Sequence, residues 1–191
     1  MRLNAKLELL DVVDEKDRIT GKILDRETIH ENGLWHRQAT CWIMNKEGKL
    51  LFQKRSKLKS HNPSKWSRTG GHIDAGEEVL DGIIREIKEE IGVNIPKEKL
   101  KLIQKEPFEK EYINKKTKHR YWAYDYFTIV DYKLSDYTMQ KEEVDDLKYI
   151  SIEEMEELKK KNNSEYTFVK WENVEEIIEM LKKIRKEKLG F

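Results

Sequence analysis

The chain has 191 residues, enough for one domain with a modest extra element and a substantial core. Its 38 basic and 37 acidic residues nearly cancel, so no global field points to nucleic acid or to an anionic membrane. Cys41 is the single cysteine; that excludes an intrachain disulfide and fits a reducing compartment.

The opening MRLNAKLELL lacks a signal-peptide pattern, and no apolar run reaches the roughly 18–20 residues of a membrane span. A cytoplasmic protein is expected, folded as a single domain over 1–191, with a homodimer left open. KLELLDVVDEKDRITGKI reads as two short strands around a polar turn. HRQATCWIMN and KLLFQKRS read as a strand pair joined at KEG, with Cys41 a buried thiol. KLKSHNPSKWSRTG is a loop that ends at Gly70-Gly71. A helix is predicted from about Glu77 to Ile91, because Val79, Leu80, Ile83, Ile84, Ile87 and Ile91 follow a helical period. Gly92 stops it. LKLIQKEPFEKEYI and HRYWAYDYFTIV are strands joined by NKKTK, and DLKYIS is another. IEEMEELKKK and the tail, about residues 171–188, are helices. Strands and helices mix without regular βαβ alternation, which points to an α+β fold with a mixed sheet.

Within the predicted helix, Glu86, Glu89 and Glu90 fall on one flank of the apolar arc. Like charges one turn apart, as at Glu86 and Glu90, destabilise a helix by a few tenths of a kcal/mol. An ordinary solvated face would intersperse lysines there, whereas Lys88 and Arg85 are expected elsewhere on the helix. A hard divalent cation resolves the repulsion. Mg²⁺ prefers oxygen ligands and commonly bridges one or two carboxylates to a substrate's phosphates.

The spacing adds specificity. Gly71, Glu77, Arg85-Glu86-Ile87, Glu89-Glu90 and Gly92-Val93 match all nine defined positions of G-x5-E-x7-R-E-U-x-E-E-x-G-U, with U aliphatic. The sequence resembles a Nudix hydrolase, with the box over residues 71–93. The resemblance implies an α/β/α sandwich in which the box forms a loop–helix–loop. It also implies hydrolysis of a nucleoside diphosphate linked to another moiety, with Mg²⁺ or Mn²⁺. By the same resemblance Glu86 and Glu90 are metal ligands, and Glu89 is a further ligand or the base. Glu77 supports the loop or joins the metal shell through water, and Arg85 orients a box glutamate. Many members take one more carboxylate from outside the box; here Glu143 is preferred over Glu142, ahead of Tyr149. Gly71, His72, His36, Arg37 and Arg55 are the expected substrate-binding residues around a small-molecule diphosphate.

The flanks DVVDEKDRITGKI, HENGLWHRQATCWIMN and LLFQKRSKLKS resemble isopentenyl-diphosphate isomerase and hydrolases grouped with it. His36 and His72 correspond to isomerase metal ligands and read here as relics of ancestry or hydrogen-bonding residues. The isomerase's reactive cysteine has no counterpart, because Gly70 stands in its place, and no Glu-x-Glu pair follows near KHRYWAYDYF. The full set of box glutamates favours a hydrolase over the isomerase, and over a non-catalytic binding module of the same fold.

Overall fold

The structure is a computed structural model that describes residues 7–59, 61–112 and 117–191. Strands β1 (Leu9–Val13) and β2 (Ile19–Asp25) pair antiparallel. Their connection is shaped by Asp14, whose Oδ1 accepts from the backbone N–H groups of Lys16 and Arg18 at 2.8 and 3.0 Å. Helix α1 (Arg26–Glu31) follows at once. It was not predicted, because six residues carry too little periodicity. Its start is nonetheless coded: Asp25 is the N-cap and accepts from Thr28 N at 2.9 Å. Ile29 of α1 is buried with Leu10 and Val12 of β1.

Strands β3 (Trp35–Asn45), β4 (Leu50–Arg55), β5 (Trp66–Ser67), β6 (Thr69–His72), β7 (Lys101–Tyr112), β8 (Thr117–Val130) and β9 (Val144–Ile150) build a seven-stranded sheet. Its order is β5-β4-β3-β8-β7, with β6 paired to β3 and β9 to β4. Strand β5 and the start of β6 lie in the segment expected to be a loop. At two and four residues they are too short to show alternation. The predicted turn NKKTK falls largely on residues 113–116, outside the described residues. Helix α2 (Val79–Ile91) begins two residues after the predicted start and ends at Gly92, whose φ of 75° is left-handed. Helix α3 (Ile152–Lys160) is capped by Ser151, and α4 (Val174–Leu189) begins three residues later than predicted.

The chain divides into two compact units. The first comprises Met1–Thr40, Gly70–Glu86 and Pro96–Tyr126; the second comprises Cys41–Thr69, Ile87–Ile95 and Phe127–Phe191. The second has an aromatic core in which Trp42 and Phe52 meet edge to face at 6.1 Å and Phe52 lies 5.5 Å from Phe168. Arg68 is held between Trp42 and Trp171, its guanidinium 4.8 and 4.4 Å from the two rings. In the same unit α3 and α4 are tied by Arg185 to Glu153 at 2.7 Å and Lys182 to Glu156 at 2.8 Å.

Candidate active site

In the first unit the site is organised around Arg85. Its Nη2 donates to Glu77 Oε2 at 2.9 Å and to the carbonyl of His72 at 3.0 Å, and its Nη1 donates to Glu86 Oε1 at 2.8 Å. Asp74 lies further off, at 3.8 Å. Burial works against the charge of Arg85, but the hydrogen bond it donates to Glu77 and the charge of Glu86 raise its pKa, so the guanidinium is permanently charged. The expectation that Arg85 lies elsewhere than the acidic flank is therefore corrected: its long guanidinium curls round the helix to the next residue, Glu86. Glu77 also accepts from Asp74 N at 3.2 Å, so it closes the loop ahead of α2.

The two glycines before this loop have different jobs. A Cβ on Gly71 would sit 2.6 Å from Glu86 Oε2 and 2.7 Å from its Cδ, so the missing side chain is the space the carboxylate fills. Gly70 has φ of 141°, which side chains rarely adopt, and its Cβ would collide with the Ala39 carbonyl and approach Thr40 Cα at 2.7 Å. The cysteine expected here in an isomerase would not fit this backbone. Cys41 is buried and donates weakly to its neighbour's carbonyl, Trp42 O, at 3.7 Å.

In the second unit Glu90 is 4% exposed and accepts from Gln53 Nε2 at 3.0 Å. Gln53 in turn accepts from the Thr69 hydroxyl at 3.1 Å, and both are fully buried. Glu89 is exposed. The loop before β9 rests on the end of α2, since Gln140 N donates to Glu90 O at 3.0 Å and Glu143 N donates to Gln140 O at 2.8 Å. Glu143 lies in a turn, not an extended segment, and its half-buried carboxylate pairs with Lys59, whereas Glu142 is exposed.

Among the expected substrate contacts, Arg37 gives Nε to Asp17 Oδ1 at 2.7 Å and Nη2 to Asp17 O at 2.8 Å. Asp17 also binds Lys105 at 2.6 Å and Tyr124. Burial opposes its ionisation, but these partners, Lys105 foremost, hold its pKa below the usual carboxylate range. Arg37 is therefore part of a charge cluster around the buried Asp17. Arg55 donates to the His61 carbonyl at 3.1 Å. His36 is 1% exposed; burial and the nearby His72 push its pKa well down, so its ring is neutral. Gln53, Thr69, Asp17 and His30 were not singled out from the sequence. The signal for Gln53 was a polar residue inside the apolar run LLFQ; the others carried none.

A glycine-led loop and helix that gather Glu77 and Glu86 about one arginine, with Glu90 one turn on, define a loop–helix–loop of the diphosphate-hydrolysing type. The chain belongs to the Nudix family: a NUDIX-domain family model matches residues 34–181. The fold is the α+β Nudix fold, and the chain is a Nudix-type pyrophosphohydrolase. It is 38% identical over 154 residues to an uncharacterised Nudix hydrolase of Clostridium acetobutylicum, covering 78% of this chain and 72% of that one. An isopentenyl-diphosphate Δ-isomerase of Pectobacterium atrosepticum is 37% identical over 83 residues, 43% of this chain and 46% of that protein. A crystal structure of a Deinococcus radiodurans protein, DR0079, superposes with a TM-score of 0.64 at 20% identity, over 91% of this chain and 99% of that one.

Proposed function

We propose that the protein uses Mg²⁺ or Mn²⁺ to hydrolyse a diphosphate linkage in a nucleoside diphosphate joined to another moiety. The observation that carries this reading is the ordered carboxylate set of the box, with Glu86 fixed by Arg85 and Glu90 fixed by Gln53. Partly buried oxygen ligands on a rigid helix suit a hard divalent ion. Glu86 and Glu90 would hold it, with Glu77 in support and Glu89 as a further ligand. When bound, the ion supplies neutralisation of the diphosphate charge and lowers the pKa of a coordinated water.

The chain's own residues do the rest. Glu143 or Glu89 takes the proton as the water oxygen bonds to one phosphorus and the bridging P–O bond breaks. Arg85 keeps Glu86 in place through the reaction. In this reading Gly71 and His72 remain the substrate contacts of the first unit, whereas His36 is buried and Arg37 is committed to Asp17, so these two support the site without touching substrate. A small-molecule diphosphate partner and a cytoplasmic location belong to the same reading. The test is a phosphate-release screen over nucleoside diphosphate derivatives and isopentenyl diphosphate, with Mg²⁺ and with Mn²⁺. Glu86→Gln and Glu90→Gln should each abolish divalent-dependent turnover in a folded protein; near-normal turnover by both at saturating Mg²⁺ would sink the assignment.

A further inference from the structure

Strand β1 has two edges. One pairs with β2, and the other meets the loop that leads into α2: Leu10 forms an antiparallel bridge with Asp74, and Ala75 N donates to Leu9 O at 2.8 Å. Alternation along the strand sets its side chains. Leu10 and Val12 are buried with Ile29, so Asp11 between them points to the other face. There its Oδ2 accepts from Gly76 N at 2.7 Å.

The backbone donors of this loop can be accounted for one by one. Ile73 N donates to Arg37 O at 3.2 Å, Asp74 N to Glu77 Oε2 at 3.2 Å, Ala75 N to Leu9 O, Gly76 N to Asp11 Oδ2, and Glu77 N to Asp74 O at 3.0 Å. Strand β1 thus satisfies the two donors just ahead of Glu77. Glu77 in turn receives Arg85 Nε at 3.1 Å and Nη2 at 2.9 Å, and the same guanidinium holds Glu86. The β1–β2 hairpin is itself fixed at its far end. Asp17, in the connection between the strands, binds Arg37 at 2.7 Å and Lys105 at 2.6 Å, and Trp122 Nε1 donates to Asp14 O at 3.3 Å. Arg37 closes the circuit: its side chain holds the hairpin turn while its carbonyl holds Ile73 at the start of the loop. The hairpin is therefore a brace between the sheet and the loop. All of β1 precedes residue 34, where the family match begins, so the brace lies outside the matched domain.

We propose that Asp11 is a positioning residue for the box: through Gly76 it fixes the loop that presents Glu77 to Arg85, and so sets the place of Glu86 and the affinity for the divalent ion. The effect on the ion rests on the hydrolase reading above; the effect on Arg85 does not. Asp11 acts through the loop backbone and is not a metal ligand. A backbone N–H only donates, so the position requires an acceptor, and a carboxylate is the stronger one. The rival arrangement is a strand that serves only to cover the core through Leu10 and Val12, with the Asp11 bond incidental.

The test compares Asp11→Ala with Asp11→Asn, which keeps an acceptor oxygen, in the full chain. Three readouts need no substrate. They are hydrogen exchange of the Gly76 amide, the ¹⁵N signal and exchange of Arg85 Nε–H without metal, and the Mn²⁺ Kd from the EPR signal of the free ion. In Asp11→Ala the Gly76 amide should exchange about 10-fold faster, as for loss of a hydrogen bond to a charged acceptor. Its Arg85 Nε–H signal should shift and exchange faster, and its Mn²⁺ Kd should rise about 10-fold, the low end for loss of an outer-shell partner. Asp11→Asn should recover most of all three. Should Asp11→Ala fail to fold, the unsubstituted protein decides: its Ala75 and Gly76 amides must exchange slowly and together, and a Gly76 amide at the unfolded-chain rate overturns the proposal. A wild-type Arg85 signal in Asp11→Ala, wild-type Mn²⁺ affinity there, or an Asp11→Asn protein no better than Asp11→Ala would each overturn it too. Should Glu86→Gln bind Mn²⁺ as tightly as wild type, the metal reading fails instead, and the Arg85 signal alone decides whether Asp11 positions the box.

Discussion

Gly70 and Gly71 are adjacent, yet alanine at the two positions should give opposite phenotypes. At Gly71 the three atoms nearest the new methyl all belong to the Glu86 carboxylate, at 2.6–2.9 Å. Bringing 2.6 Å to an ordinary contact of 3.4 Å moves the carboxylate by about 0.8 Å. The stability terms are small and opposed. Weakening a part-exposed ion pair costs about 0.2–1 kcal/mol, and Gly→Ala lowers unfolded-chain entropy by about 0.4–1 kcal/mol in the other direction. The net change should lie within about 1 kcal/mol of zero. Displacing the carboxylate proposed to hold the metal by nearly an ångström is a different matter, and misplacement of that size costs on the order of 10²-fold in rate. At Gly70 the clash is with backbone, which does not yield, and the φ of 141° is itself strained for alanine. About 1–3 kcal/mol for the backbone and about 1–3 kcal/mol for overpacking should make Gly70→Ala a folding mutant. Urea unfolding and phosphate release across a Mg²⁺ series separate the two. Wild-type rate and Mg²⁺ dependence in Gly71→Ala, or destabilisation as large as that of Gly70→Ala, would refute the reasoning.

Gln53→Leu removes the neutral donor to Glu90 and strands the Thr69 hydroxyl, so unfolding free energy should fall by about 1–3 kcal/mol. Its Mg²⁺ half-saturation should also rise; a titration that overlays wild type would show that Glu90 needs no such partner. Glu143→Gln should lower kcat by about 10²–10⁴-fold, and exposed Glu142→Gln should stay near normal. If neither substitution matters, Glu89 becomes the base. Acid should destabilise the first unit through Glu8. Burial opposes its charge, but the hydrogen bond to His72 and then Arg26 bring its pKa from 4.5 down to about 2. A depressed carboxylate contributes in full above its unfolded value and loses that contribution as pH falls from 4.5 through about 2. Urea midpoints across that window should fall less steeply for Glu8→Gln, and parallel curves would remove Glu8 from the account.

What the sequence revealed of this protein was its local code. The helical period of α2, the glycine that ends it and the spacing of the box are all written within 23 consecutive residues, 71–93. Helix α1 and strands β5 and β6 were missed because two to six residues hold too few repeats of any period. The pairing of Glu90 with Gln53 was missed for another reason. The two residues are 37 apart in sequence, and only the packing of β4 against the end of α2 brings them into contact. Arg85 shows the limit within a helix. Its Cα stands about 100° round the helix from that of Glu86, but its side chain is long enough to close that gap.

The histidines make the same point from the other side. His36 and His72 drew attention through a resemblance, and read as relics of ancestry or as hydrogen-bonding residues around the site. His30 had no sequence signal, since it sits in a helix that periodicity did not reveal. Once α1 is formed, its last turn sets that third imidazole beside the other two, and their protonated nitrogens are already held by Leu34 and Glu8. His72 then connects two charge systems by different parts of one residue. Its ring belongs to the imidazole cluster, while its backbone carbonyl accepts from Arg85. A side-chain substitution at position 72 changes the first and leaves the second bond's acceptor in place. The box arginine is thus anchored by geometry that β6 supplies whatever side chain stands there.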